Sequence, residues 1–293
     1  MSEAIVVATT TSPMFSGDDR SRDDKAIDLW LHGRPESTQR AYRRDVVKLL
    51  TFVRKSIATI TLADLQAFAD SLTGAPVSRA RTLNAVKSLL GFLCRAGVLP
   101  VNVGAALRIP KSRDTLADRI LSRAETKKLL KVATDPRDYA LVAYAYESGF
   151  RRAELRARHR DVAIGDGGDA FVTVVGKGGK TRTVRIRAAT WALVAALRAP
   201  DVDGEAPLFP GRDRSRPLSA SQIWRIVSGL GRKAKLPRAI SPHFLRHSHA
   251  SHALDRGAPI ALVRDTLGHS SVAVTDRYLH ARPKESSGKY LGL

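Results

Sequence analysis

The sequence predicts a mainly α-helical protein that contains one small antiparallel β-sheet and is divided into two domains. Apolar residues recur at helical spacing along most of the chain, whereas short strand-like segments separated by glycine-rich turns occur only within residues 161–186. Apolar residues make up 43% of the sequence, which is enough for a buried core, and 293 residues leave room for two domains of ordinary size.

The first predicted domain, residues 25–110, is helical. We expect Ser37 to cap one helix and Thr61 a second, and a third to cover residues 77–96 and stop at Gly97. The apolar face of each helix is expected to form the core, namely Tyr42, Val46, Leu49, Leu50 and Val53, then Leu62, Leu65, Phe68 and Leu72, then Leu83, Val86, Leu90 and Leu93.

The segments on either side of this domain are polar. Residues 1–24 are rich in Ser, Thr and Asp and lack the basic start and apolar stretch of a signal peptide, so we expect a mobile tail. Residues 111–120 follow Pro110 and are mostly polar, which predicts a linker between the domains.

The second domain, residues 121–293, is expected to begin with a helix capped by Ser122. A helix over residues 136–148 follows, and then three strands at 161–164, 171–175 and 181–186. Further helices are expected from about Thr190 and at 219–233, 242–255, 259–266 and 272–278.

The net charge is +21, and such an imbalance makes a compact protein repel itself unless a polyanion binds to it. Residues 111–293 carry 34 Lys and Arg against 18 Asp and Glu, whereas residues 1–110 carry 15 against 10. The later part of the chain is therefore expected to be the stronger polyanion binder.

Cysteine content and hydropathy indicate the cellular compartment in which the chain is expected. Cys94 is the only cysteine, so no internal disulfide can form, and no apolar run approaches the ~18 residues of a membrane-spanning helix. A reducing, cytoplasmic location without membrane partners is expected.

Five short motifs stand in the second domain: G-F-R-x-x-E-L at 149–155, G-K-G-x-K at 176–180, H-x-L-R-H at 243–247, L-G-H at 267–269 and R-Y-L-H at 277–280. They supply cationic groups, proton carriers and one phenol, and the candidate catalytic residues are Arg151, Lys177, His243, Arg246, His269 and Tyr278. Phosphodiester chemistry without a metal needs such a set. Guanidinium groups neutralise the charge that builds up on a phosphate under attack, and a phenolate is a nucleophile that can leave again.

With these motifs in this order, the chain resembles the tyrosine recombinases, the family of phage integrases and Xer-type site-specific recombinases, over roughly residues 25–293. The resemblance implies a helical core-binding (SAM-like) domain followed by an α+β catalytic domain. It also implies that Tyr278 attacks the scissile phosphate to form a 3′-phosphotyrosyl bond, which a 5′-hydroxyl of a partner duplex then attacks. Bond energy is conserved in both steps, so neither ATP nor a metal or other cofactor is required.

The same resemblance implies the remaining roles. Arg151 and Arg246 are the catalytic arginines, and Lys177 is the general acid that protonates the leaving 5′-hydroxyl. His269 hydrogen-bonds the scissile phosphate, while His243 either donates to a phosphate oxygen or takes the proton of the nucleophile.

Other basic residues are candidates for DNA contact. Charged residues on helices are usually solvated, but the resemblance favours DNA contact for Arg40, Arg43, Arg44, Arg79, Arg81, Lys87, Arg152, Lys180 and Arg182. Lys180 and Arg182 are also alternatives to Lys177 as the acid. Glu154 is expected to orient Arg151.

Several alternatives remain open at this point. His247, His249 and His252 have the spacing of a zinc site but no clear carboxylate or cysteine to complete it. A role in helix packing or in supporting the catalytic residues is therefore favoured for His247 and His252. A type IB topoisomerase uses a similar catalytic set, and an inert DNA-binding regulator is the third possibility.

The expected partner is double-stranded DNA with a specific recombination site, bound by four copies of the chain or by this chain paired with a related recombinase. Chromosome dimer resolution, phage integration and mobile-element movement all remain open as the biological task. Residues 286–293 contain Tyr290, Leu291 and Leu293, and this apolar end is expected to dock onto a neighbouring protomer.

Overall fold

The chain divides into two compact units, Met1–Arg113 and Asp114–Leu293. Helices dominate the described part of the chain, and a three-stranded antiparallel sheet lies in the second unit, as the sequence predicts. Among the described helices, none is both long and apolar enough to cross a membrane. The computed structural model of the chain describes residues 19–109, 115–176, 179–199 and 203–281.

Four helices build the first unit, and each turns an apolar face inward. Trp30, Leu49, Phe68 and Leu90 are fully or almost fully buried, one from each helix. The predicted core of this unit is confirmed, because every residue assigned to it is buried or packs against the buried cluster. The helices are α1 (Asp19–Leu31), α2 (Glu36–Val53), α3 (Leu62–Ser71) and α4 (Pro76–Arg95).

One of the two predicted caps in this unit is correct. The Thr61 hydroxyl accepts a hydrogen bond from the Asp64 N–H at 3.2 Å, and the Asp64 carboxylate accepts one from the Thr61 N–H, so Thr61 caps α3. Ser37 does not cap α2, because that helix begins at Glu36, after Pro35. A carboxylate in the first turn stabilises a helix N-terminus, which explains the earlier start.

The tail predicted for residues 1–24 is wrong at its end, because α1 already begins at Asp19. Asp23 explains part of the difference. Its carboxylate accepts hydrogen bonds from the Ile57 N–H at 3.1 Å and from the Ser56 hydroxyl at 3.2 Å. This long-range contact holds the first turns of α1 against the segment after α2.

The second unit follows the predicted order of elements to within a few residues. Ser122 and Ser219 cap the first and fourth helices, each through a capping box with the residue three positions later. The elements are α5 (Arg123–Lys131), α6 (Pro136–Ser148), β1 (Val162–Ile164), β2 (Ala170–Val175), β3 (Thr181–Ile186), α7 (Ala188–Ala195), α8 (Ala220–Lys233), α9 (Pro242–Leu254), α10 (Ile260–Leu267) and α11 (Val272–Ala281).

The sheet runs in the order β1-β2-β3, and all its pairs are antiparallel. Val172 pairs with Val184, and alternate residues of β2 are buried. They join one cluster with Tyr144 of α6 and Phe150, whose rings meet edge to face at 5.7 Å. The core therefore lies under the loop that carries Arg151.

The linker predicted for residues 111–120 is too long. Leu116 and Ile120 are buried in a cluster with Leu267 and Tyr278, so this stretch belongs to the second unit. Two apolar side chains four residues apart are enough to bring an otherwise polar segment onto a core.

Candidate active site

Four segments of the second unit carry the candidate catalytic residues that the structure describes. Arg151 follows the end of α6, and Arg246 lies on α9 with His243 one turn before it. His269 follows the end of α10, and Tyr278 lies on α11.

Glycines in the left-handed conformation end both α6 and α10. Gly149 and Gly268 each have a φ of 62° and act as the C-caps of these helices. A Cβ at Gly149 would lie 2.8 Å from the Leu267 side chain, so the end of α6 packs directly on the end of α10. The two turns therefore bring Arg151 and His269 to neighbouring places.

Arg246 joins these two helix ends from within the core. Its side chain donates to the Gly149 carbonyl at 2.7 Å and to the Leu267 carbonyl at 2.6 Å, and the residue is only 4% exposed. Burial, followed by the charge of Arg151, lowers the pKa of Arg246 to about 10. The guanidinium is thus still charged at neutral pH, and the carbonyls at two helix C-termini stabilise that charge.

Arg151 reaches the same helix end from the surface. It donates to the Gly268 carbonyl at 3.0 Å, one residue after the carbonyl that Arg246 contacts, and to the Glu154 carboxylate at 3.0 Å. Its side chain is 31% exposed, so part of the guanidinium can meet a ligand. The two arginines therefore converge on two consecutive carbonyls.

Glu154 orients both Arg151 and a second arginine. Arg182 donates to both Glu154 oxygens, at 3.0 and 2.7 Å, and the Arg151 N–H donates to the same carboxylate at 2.7 Å. Burial alone would raise the pKa of Glu154, but the hydrogen bonds from Arg182 and Arg151 outweigh it and keep that pKa below its usual value. The carboxylate is an anchor for the arginines, as the sequence suggested.

Arg182, a predicted DNA contact, is engaged within the protein. Its side chain is only 12% exposed, lies 5.5 Å over the Phe150 ring and donates to the Thr266 carbonyl at 2.8 Å as well as to Glu154. Arg182 therefore positions Glu154 and, through it, Arg151, and its contact with DNA stays a prediction. The positioning role could not be predicted from the sequence, because its partners lie far away in the chain.

Tyr278 is buried, with 6% of its surface exposed, and its hydroxyl lies 2.8 Å from Nδ1 of His247. Burial raises the pKa of this phenol, while the charges of Arg246, Arg277 and Arg151 act in the opposite direction. His247, expected to pack between helices or to support the catalytic residues, thus contacts the candidate nucleophile directly.

The other two histidines flank this pair. The His269 ring lies parallel to the Tyr278 ring at 6.3 Å, and its Nδ1 is 2.8 Å from the Thr275 hydroxyl. Burial, followed by the charges of nearby arginines, lowers the pKa of His269 to about 4, so it is neutral at physiological pH. His243 is exposed at the surface, and its ring lies 6.3 Å from that of His247.

Lys177 lies outside the described residues, but the base of its turn does not. The Gly176 N–H donates to the Lys180 carbonyl at 2.7 Å, which closes the connection between β2 and β3. A Cβ on Gly176 would lie 3.4 Å from the Arg182 guanidinium and 3.8 Å from Glu154. The turn therefore begins beside the carboxylate that anchors Arg151.

Several predicted DNA contacts are engaged within the protein. Arg81 donates to both oxygens of the fully buried Asp45. Lys87 donates to the carbonyls of Ala105 and Leu107, at 3.1 and 2.6 Å. Each of these side chains therefore binds acceptors within the fold, and contact of either one with DNA stays a prediction.

The remaining candidates lie nearer the solvent. Arg40 and Arg43 form exposed ion pairs, with Glu36 and Asp28, and such pairs contribute little to stability and can open for a phosphate. Within the described ranges, no ion pair involves Arg44, Arg79, Arg152 or Lys180.

The other histidines of α9 bind protein groups. Nδ1 of His249 lies 3.0 Å from the Tyr146 carbonyl, and Nδ1 of His252 lies 2.8 Å from the Tyr146 hydroxyl. Among the residues described, no three His, Cys, Asp or Glu side chains are grouped as a metal ion would require.

Two family models match the chain. The model described as the phage integrase family matches residues 118–285, and the model of the phage integrase N-terminal SAM-like domain matches residues 28–97. The chain is also similar to the tyrosine recombinase XerC of Xanthomonas campestris pv. campestris (strain B100), with 36% identity over 256 residues that cover 82% of this chain and 77% of that protein.

Solved structures share the fold. The XerH site-specific recombinase bound to palindromic difH substrate, in a post-cleavage complex, has a TM-score of 0.73 and 19% identity, covering 92% of this chain and 83% of that one. A lambda integrase tetramer bound to a Holliday junction has a TM-score of 0.75 and 17% identity, covering 91% of this chain and 78% of that one.

Proposed function

We propose that Tyr278 is the nucleophile with which this chain, a member of the phage integrase family, cleaves DNA. The chain is a tyrosine recombinase, an enzyme of site-specific recombination that cleaves and rejoins DNA strands. The relatives reported above are recombinases and integrases, which leaves the alternatives of a relaxing topoisomerase and an inert regulator without support.

One observation carries the residue assignment. Arg151 and Arg246, from separate segments, converge on the consecutive carbonyls of Leu267 and Gly268, and their charges act on the phenol of Tyr278. A phosphate that bridges the two guanidinium groups would meet a nucleophile in a site that already carries positive charge.

The chemistry then proceeds in two balanced steps. The Tyr278 hydroxyl gives its proton to a base, its oxygen forms a bond to the phosphorus, the bond from phosphorus to the 5′ oxygen breaks, and that oxygen takes a proton from Lys177. Arg151 and Arg246 stabilise the additional negative charge of the pentacoordinate state. In the second step a 5′-hydroxyl of the partner duplex gives its proton to the now neutral Lys177 and attacks the phosphorus, and the bond to the Tyr278 oxygen breaks as that oxygen regains its proton.

Lys177 keeps the role of general acid in this proposal. Support comes from the base of its turn, since Gly176 adjoins Glu154 and Arg182, which orient Arg151. Glycine at positions 176, 178 and 179 allows the turn to approach a ligand closely. His269 and His243 remain candidates for hydrogen bonds to the scissile phosphate.

The first unit is proposed to clamp the duplex, as a core-binding domain over about residues 25–110. Arg44 and Arg79 are its best candidates for phosphate contacts. We further propose that four protomers assemble on two copies of a specific site in the cytoplasm, either as one kind of chain or together with a related recombinase. The neighbouring structure of a lambda integrase tetramer on a Holliday junction supports such an assembly.

The test is a duplex nicked close to the cleavage point, which lets the short 5′-hydroxyl fragment diffuse away and traps the covalent adduct. The wild-type protein is expected to form a phosphotyrosyl adduct, and Tyr278→Phe is expected to bind the same duplex and form none. An adduct at another residue of the variant, or unchanged strand exchange, would show that Tyr278 is not the nucleophile.

A further inference from the structure

The Tyr278 hydroxyl has a specific partner in the protein. Nδ1 of His247, on α9, lies 2.8 Å from the hydroxyl oxygen on α11, and the two ring centroids are 5.8 Å apart. His247 is the residue after Arg246 and stands one helical turn after His243. The structure therefore joins the nucleophile to the second histidine of the H-x-L-R-H motif.

The direction of this hydrogen bond follows from the protonation states. Burial, followed by the charges of His243, Arg119, Arg246 and Arg277, lowers the pKa of His247 to about 4, so its ring is neutral at physiological pH. Burial raises the pKa of the Tyr278 phenol, which keeps its proton. A neutral imidazole has one N–H and one acceptor nitrogen, and in the tautomer with the ring proton on Nε2 the phenol donates to Nδ1.

We infer that His247 is the general base that takes the Tyr278 proton during strand cleavage, an inference that rests on the proposed role of Tyr278 as the nucleophile. The O–H bond of the phenol breaks and an N–H bond forms at Nδ1, while the phenol oxygen forms its bond to phosphorus. When the strand is rejoined, the tyrosine leaves and the same proton returns to it.

The geometry favours His247 over His243 for this step. A base must stand within hydrogen-bond reach of the proton it removes, and the described hydrogen bond of the Tyr278 hydroxyl goes to His247. His243 is exposed and remains free to donate to a phosphate oxygen. His269 stacks on Tyr278 and has its Nδ1 engaged by Thr275, so it holds the phenol ring rather than its hydroxyl.

DNA itself would switch this base on. Arg246 is among the charges that keep His247 neutral, and a phosphodiester bound there would offset its positive charge. The basicity of His247 rises as a result, and the imidazolium formed by proton transfer gains an anionic neighbour. Without DNA the same arrangement holds the phenol in its neutral, buried form.

The decisive experiment measures single-turnover adduct formation on the nicked duplex by His247→Asn at several pH values. The Asn side chain can still accept a hydrogen bond from the phenol but cannot take its proton. The rate at neutral pH is expected to fall by ~10²–10⁴, the usual contribution of a general base. The remaining rate should rise more steeply with pH than that of the wild type, because it depends on free phenolate.

The chain offers a matched control on the same helix. His252 accepts or donates a hydrogen bond with the Tyr146 hydroxyl at the same 2.8 Å distance, and neither residue belongs to the proposed site. His252→Asn is expected to keep the wild-type pH profile. Melting temperature and duplex binding report folding, and His247→Gln is the second variant if His247→Asn does not fold.

A substrate with sulfur at the bridging 5′ position distinguishes loss of the general base from loss of the general acid, because a thiolate can leave without taking up a proton. This substrate should restore cleavage to a Lys177 variant and leave the His247→Asn defect in place. A wild-type rate and pH profile for His247→Asn, or its rescue by sulfur, would overturn the inference. The nucleophile is tested separately, since Tyr278→Phe would still form no adduct in that case.

Discussion

Arg151 and Arg246 contact adjacent carbonyls but stand in different surroundings. Arg246 is buried and fixes the ends of two helices, whereas Arg151 is partly exposed and is oriented by Glu154. A fork of N–H donors that is already hydrogen-bonded to carbonyls loses little conformational freedom when a phosphate arrives. The two arginines are therefore equivalent in their charge but not in what they contribute to the fold.

Their alanine variants are expected to differ accordingly. Arg151→Ala should reduce adduct formation by ~10²–10³, the typical effect of losing one donor to a developing charge, with little change in melting temperature. Arg246→Ala should show the same loss and also destabilise the protein by about 1–3 kcal/mol, since buried carbonyls lose their donor. Single-turnover cleavage, duplex binding and thermal melting measure the three effects.

An arginine outside the site serves as the control for this comparison. Arg137 pairs with its neighbour Asp138 at the start of α6, and Arg137→Ala should change cleavage little. Equal losses of binding and cleavage in Arg151→Ala would indicate that this arginine only anchors a phosphate in the ground state.

At the scale of single elements, α2 and α4 carry basic residues of two kinds. Arg44 is exposed and Arg79 half-buried, and neither forms an ion pair with another described residue. Arg81 instead donates to the buried Asp45, which also accepts from the Thr82 hydroxyl at 3.1 Å. The first kind has no ion pair with a described residue to break before it meets a DNA backbone.

This difference predicts opposite effects of the same substitution. Arg44→Ala and Arg79→Ala should each weaken DNA binding and reduce the slope of log affinity against log salt by about 0.9, with the fold intact. Arg81→Ala should leave that slope nearly unchanged and destabilise the unit by roughly 1–3 kcal/mol, because a buried acceptor loses its partner. Salt titrations and thermal melting distinguish the two, and a reduced slope with an unchanged melting temperature in Arg81→Ala would contradict the assignment.

The elements were largely predictable because their signals are local. Apolar spacing predicts α3 and α4, and Ser or Thr three residues before Glu or Asp predicts the caps at Thr61 and Ser122. The start of α1 and the end of the linker could not be predicted, because long-range contacts of Asp23 and Ile120 decide them.

In the site, too, local signals could be predicted and long-range contacts could not. The five motifs identify the candidate catalytic residues one by one, since each chemistry needs its residue type. The roles of Arg182 and His247 depend on partners 28 and 31 residues away, Glu154 and Tyr278, and no spacing in the sequence relates such pairs.

At the scale of the whole molecule, charge and exposed apolar side chains bear on the proposed assembly on DNA. The net charge of +21 opposes association of free chains, and a polyanion removes that repulsion. Leu262, Val274 and Leu279, on the last two described helices, are 59%, 40% and 46% exposed. Exposed apolar side chains on α10 and on α11, the helix of the proposed nucleophile, suit a contact between neighbouring copies.

Residues 286–293 lie outside the described part of the chain, and their docking onto a neighbouring protomer stays a prediction. Deletion of these residues is expected to leave binding and cleavage of a single duplex nearly intact and to abolish synapsis and recombination, because Tyr290, Leu291 and Leu293 would no longer join the subunits. Gel-shift assays with one and two duplexes, followed by strand exchange, measure these steps. A full-length variant with Ser at the three apolar positions controls for chain length and should behave like the deletion. If the tail instead docks on its own subunit, the deletion will lower the melting temperature of the free protein. Synapsis will then fall no further than the binding of a single duplex does.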